Sequence, residues 1–166
     1  KSVEDEGVEN RKNWVRKGGV FVTFGKARQV VASSDVAVLD VKREFAHQEE
    51  TDKDKRESTD KDKSRVKGQL FTEKQNLFDA SEVQQKSPDN VAGILANVEV
   101  DQEHWLTAGV DQNVVALVSG SDIYAPITLN SGKNLAWFRG PETLLASGYL
   151  WQENKKQLAY KPFLIH

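Results

Sequence analysis

The run "REFAHQEETDKDKRESTDKDKSR" limits what this chain can fold into more than any other stretch. From Glu49 to Lys67 it holds almost only Asp, Glu, Lys, Arg, Ser and Thr, and "TDKDK" occurs at 51–55 and again at 59–63. Such a segment has too little apolar surface to offset the entropy of ordering it. It is therefore expected to be a mobile insertion, 49–67, either solvated chain or a mobile helix. Its charges balance in sign, which argues against an acidic or basic binding arm.

A chain of 166 residues suits one domain, and a hydrophobic share of 38% suffices because the charge is gathered in one place. A net charge of −2 offers no basic field for nucleic acid. No apolar run approaches the roughly 20 residues of a membrane span. The chain contains no Cys, which removes disulfides, thiolate metal sites and a Cys nucleophile together. It opens "KSVEDEG" and holds no Met, so 1–166 is expected to be a single α/β domain cut from a larger protein.

On the N-terminal side, Val8, Trp14 and Val15 recur at helical spacing, and Gly18-Gly19 then stops the helix. "VFVTF" predicts a buried strand, Gly25 a tight turn, and "KARQVVASS" a second helix. Helix, strand, turn and helix in that order is the rhythm of an α/β domain with a parallel sheet. "DVAVLDVKREF" predicts a further strand, and "GQLFTEKQNLFDASEVQQKSPDN" a loosely amphipathic stretch closed by a Ser-Pro turn. Beyond it, "VAGILANVEV", "NVVALVSGS", "NLAWF" and "KPFLI" predict strands, with a turn over "DQEHWLT" and a polar helical turn at "WQENKKQ". Short turns between these late strands point to a mixed sheet.

Candidate chemistry is sparse. His47 and Glu50 in "HQEE" have the spacing with which some zinc peptidases begin a metal site, but a third ligand and a rigid platform are missing. The pair is read as an accident of composition. "DKDK" places Lys between its carboxylates and lacks the Gly of a calcium loop. Ser147 in "LLASGYL" lacks the flanking glycines of a nucleophile elbow and is read as relieving crowding in a strand. "GGVFVTFG" brackets a strand instead of opening a helix, so it is no phosphate loop. "DQEHWLTAG" is the most specific piece: Asp101 is expected to cap the turn, with His104 as a hydrogen-bonded structural histidine and Trp105-Leu106 turned inward. Asp101, His104, Trp105 and Ser147 are thus the candidate pocket or structural residues. No residue is assigned as catalytic, cofactor-binding or metal-ligating.

"ENRKNWVRKGGVFVTFGKA", "VAGILANVEVDQEHWLTAGV" and "NLAWFRGPETLLASGYLWQENKKQLAYKPFLI" occur in an order that resembles the C-terminal region of large bacterial zinc carboxypeptidase-family proteins. The resemblance covers roughly residues 8–32 and 88–166 and rests chiefly on "DxxHWLTAG" followed by "LLASGYL". It implies a class I glutamine amidotransferase-like fold, a flavodoxin-like three-layer sandwich with a mostly parallel sheet, following a peptidase domain. The carboxypeptidase zinc would belong to that preceding domain, and without Cys the chain lacks the thiolate of glutaminase chemistry. It implies a non-catalytic accessory domain of an exported (periplasmic or extracellular) metallocarboxypeptidase-like protein, packing against the peptidase domain or binding a peptide or glycan. The alternative is a free-standing enzyme or small-ligand domain with a pocket at the strand carboxyl ends. That pocket would be lined by the turns after "VFVTFG" and "NVVALVSGS" and by the His104 turn.

Overall fold

The structure is a computed structural model that describes residues 3–33 (backbone alone for 3–5), 39, 41–47, 65, 66, 68–70, 72, 88–128 and 130–166. The chain divides into two compact units, Lys1–Asp40 and Val41–His166. Most of the charged insertion, Glu50 of "HQEE", and most of "DVAVLD" and "TEKQNLFDASEVQQKS" lie outside the described residues.

In the first unit, α1 runs Val3–Arg16 and α2 Ala27–Val31. Gly18 ends α1 as expected, at φ +91. The Gly18 N–H donates to Val15 O at 2.9 Å and the Gly19 N–H to Trp14 O at 3.0 Å, the paired closing bonds that a left-handed residue permits. "VFVTF" departs from expectation. Residues 20–24 form no strand, and Val20, Val22 and Phe24 are exposed. β-branched and aromatic residues favour a pleated, half-buried surface only where a neighbouring strand and a covering layer exist; among the described residues no strand pairs with this segment.

The second unit is organised by β3 (Val91–Val100), flanked in sequence by two short strands, β1 (Arg43–Glu44) and β2 (Arg65–Val66), and by β4 (Asn113–Gly120). β5 (Asn134–Phe138), β6 (Leu145–Ser147), α3 (Gln152–Leu158) and β7 (Pro162–Ile165) follow. The main sheet has the order β4-β3-β5-β7, with β6 also on β3, and every pairing in it is antiparallel. β4 covers one edge of β3. The opposite edge is shared: β6 takes Leu95 and Ala96, and β5 takes Val98 to Val100. Register shifts against β4 between Val91 and Ile94, and against β6 between Leu95 and Ala96, bend β3, and the sheet curls into a half-barrel. Among the described residues only β1 and β2 pair in parallel.

The flavodoxin-like, glutamine amidotransferase-like sandwich with a mostly parallel sheet is therefore not what forms. The connections explain why. A parallel pair needs a crossover of about a dozen or more residues, ordinarily a helix, and α3, of 7 residues, is the only α-helix among the described residues between β3 and β7. The β3–β4 link instead holds a 3-10 turn, Trp105–Thr107.

The concave side of the sheet is filled by Ile94, Ala96, Val98 and Val100 from β3, Ala136 and Phe138 from β5, and Leu144, Leu150 and Leu158 from the C-terminal segments. These alternate with outward residues along β3 and β4, the period of two that a one-sided sheet requires. Gly148 closes the chain over this core at φ +102, and a Cβ there would meet Ile94 Cγ2 at 3.2 Å. Crowding at this corner is thus relieved by Gly148, while Ser147, assigned that role from sequence, is exposed opposite Leu95. Leu144→Ala should cost about 2–5 kcal/mol of unfolding free energy, whereas Tyr149→Ala, at a position 70% exposed, should cost less than about 1.5 kcal/mol. Urea unfolding of the two variants checks this, and equal losses would contradict the placement of the core.

Candidate functional site

The most enclosed polar group in the described chain is an ion pair. Lys161 Nζ donates to Glu44 Oε1 at 2.6 Å, with side-chain exposures of 0% and 1%. Local structure holds both members in place. β1 is pinned on two sides: the Glu44 N–H donates to Ile123 O at 2.6 Å, and the Phe45 N–H to Val66 O at 2.8 Å. On the other member, α3 ends at Ala159 and Tyr160 turns through φ +60. The Tyr160 N–H then donates to Phe138 O and the Phe138 N–H to Lys161 O, which locks Lys161 to β5 with its side chain directed inward.

Around the pair, Gln157 Nε2 donates to Phe45 O at 2.6 Å and lies 3.4 Å from Glu44 Oε2, which also faces the Gln69 N–H at 3.4 Å. Gln157 Oε1 accepts from the His47 N–H at 3.0 Å. His47 Nδ1 is 3.0 Å from Gly68 O, and since a carbonyl only accepts, this nitrogen carries the proton. Gly68 is required by space: a Cβ there would collide with Phe45 O and press on Gln157 Nε2 and His47 N. The network ties 44–47, 68–69 and 157–161 together across more than a hundred residues of sequence.

Burial pushes the Glu44 carboxyl above its ordinary 4.5 and the Lys161 ammonium below its ordinary 10.5, because each loses solvation on ionising; the partner's charge and the hydrogen bonds oppose both shifts. A carboxyl raised in the folded state contributes stability below pH 4.5 that is lost as the pH rises through the folded value. The depressed ammonium contributes stability above pH 10.5 that is lost as the pH falls through its folded value. Between those limits burial opposes ionisation of both members, and their mutual attraction and the hydrogen bonds to Gln157 and Gln69 offset it.

His47, half of the "HQEE" spacing, lies at the margin of this network, with its ring on the Gly68 carbonyl. Glu44, Gln157 and Lys161 were not identified from sequence. The weak signal was a Lys beside Pro in "AYKPFLI", a charge set within an apolar strand.

The "DQEHWLTAG" turn is a second cluster, distinct from the first. Asp101 Oδ1 accepts from the Glu103 N–H at 2.9 Å, a local Asx bond ahead of the 3-10 turn, whose N-cap is His104 and not Asp101. His104 is buried, with Nδ1 facing the Leu106 N–H at 3.3 Å, and Thr107 Oγ1 donates to backbone oxygen at Asp101 or His104. Trp105 and Leu106 reverse the expectation, being 66% and 39% exposed. With His104 and Thr107 filling the inner side of the turn, the two apolar side chains face out. Trp105 lies 5.7 Å from the His104 ring and 5.8 Å from that of His166, and the two imidazoles are 5.1 Å apart. Tyr149 and Trp151 form another exposed pair, edge to face at 5.2 Å. Ser147 joins neither cluster through any contact seen among the described residues.

Among the described residues no group of three or more His, Cys, Asp or Glu is placed to hold a metal ion, and no helix is long and apolar enough to cross a membrane. A pocket at the carboxyl ends of parallel strands loses its premise, because neighbouring strands of the main sheet end on opposite sides. Family models, curated proteins and solved structures show no match to this chain.

Lys161→Met alone strands the Glu44 carboxylate and should cost about 3–5 kcal/mol at pH 7. That deficit should shrink on acidification, because protonating Glu44 removes the buried charge. Glu44→Gln combined with Lys161→Met should recover most of it. Chemical unfolding at neutral and acidic pH reads both effects; a deficit that grows on acidification would contradict the network.

Proposed function

We propose that this chain is a non-catalytic interaction domain whose work is to pack against another folded domain. The observation that carries the reading is where its reactive and adhesive groups lie. The strongest charged pair is enclosed, out of reach of any substrate. The large aromatic side chains Trp105, Tyr149 and Trp151 stand in solvent, 56–70% exposed and each beside a neighbouring ring. Rigid aromatic groups of this kind supply much of the binding energy at protein interfaces, since they bury large areas with little loss of rotamer freedom. The resemblance to bacterial zinc carboxypeptidase-family proteins suggests the occupant, a peptidase domain of the same polypeptide carrying its own zinc.

The isolated chain should contain no stoichiometric zinc and release no C-terminal amino acids from peptides. Trp105→Ser and Trp151→Ser should each move the thermal midpoint by less than about 4 °C, as befits side chains that do not support the fold. Tight zinc or turnover by the purified chain would overturn the non-catalytic reading; cooperative unfolding lost on either Trp substitution would show these side chains to be structural.

A further inference from the structure

β4 lies at the end of the main sheet, and its outer edge has a definite chemistry. Val100 N–H donates to Gln112 O, so Gln112, Val114, Ala116 and Val118 turn their peptide groups toward β3. Asn113, Val115, Leu117 and Ser119 therefore direct their N–H and C=O groups away from it. Among the described residues none meets those outward groups. The same residues carry the exposed face of the strand: Leu117 is 75% exposed and Val115 56%, beside the half-exposed Leu95 directly opposite Leu117.

Edges of this kind are ordinarily guarded by charge, proline or a bulge. β7, at the far end of the sheet, opens on Pro162 after Lys161. No residue of β4 is charged and none is Pro. Where protein replaces the water on such an edge, the groups are matched along their length by another extended backbone, so a protein occupant is a strand.

We propose that this occupant is β4 of a second copy, paired antiparallel about a two-fold axis at Ala116. The edge is self-complementary about that residue, as an isologous contact requires. Reading outward from Ala116, the open groups belong to Val115 and Leu117, then to Asn113 and Ser119: apolar inside and uncharged polar outside on both arms. In this register Val115 meets the partner's Leu117, Leu117 meets the partner's Val115, and Asn113 meets the partner's Ser119. All the outward N–H and C=O groups of those residues then find partners, and the exposed Leu95, Val115 and Leu117 of both copies become one apolar strip. No like charges oppose each other. The two sheets join into a single continuous one.

The register makes the test specific. Light scattering on a size-exclusion column across a dilution series should show the mass of the 166-residue chain doubling as concentration rises. Leu117→Pro removes an outward donor while sparing the bonds to β3, and should abolish the dimer with the far-UV spectrum retained. Val115→Lys with Leu117→Lys sets ammonium against ammonium across the axis and should leave a monomer. Val115→Lys with Leu117→Glu sets opposite charges together twice and should keep the dimer. A wild-type chain that stays monomeric throughout, a dimer indifferent to Leu117→Pro, or equal behaviour of the two charge variants would overturn the proposal.

Discussion

The second unit depends on β3 being hydrogen-bonded along both of its edges. A ten-residue strand has two rows of peptide groups, and burying either without partners would cost more than the domain's whole margin of stability. β4 satisfies one row; β6 and β5 divide the other at the bend near Leu95 and Ala96. That division curls the sheet, because two strands sharing one edge must leave it in different directions. The concave side then encloses Ile94, Ala96, Val98 and Val100 with Leu144 and Leu158. Core and curvature are one consequence of the same pairing.

The Glu44–Lys161 pair acts at a different level. Glu44 satisfied by Lys161 and Gln157 is tolerable in the interior, and Glu44 alone is not. Residues 44–47 are thereby held to the end of α3. The Glu44–Lys161 pair is enclosed, whereas Trp105, Tyr149 and Trp151 stand in solvent.

Much of the element inventory was legible in the sequence, and for local reasons. "VAGILANVEV", "NVVALVSG" and "NLAWF" alternate or run apolar at strand length, and Gly18 marks a helix stop. Strand direction was the failure: the α/β rhythm was read from "VFVTF", which finds no partner strand, while the short late links already favoured antiparallel pairing. At the candidate sites, Asp101 and His104 followed from turn chemistry. Trp105 did not, because which face of a three-residue turn is covered depends on Thr107 and His104 lying inward. The Glu44–Lys161 pair was invisible for a further reason: its members are separated by 117 positions and belong to no spacing pattern.

The central claim is that β3 pairs antiparallel with β4 in one register, and proton NMR tests it directly. At the wide positions of an antiparallel pair the α-carbons approach to about 4.5 Å, which brings their α-protons into contact. Strong nuclear Overhauser effects between the α-protons of Leu95 and Leu117, and between those of Asn97 and Val115, are the predicted result. Their absence, with the parallel pattern of amide-to-α-proton contacts in their place, would contradict the account.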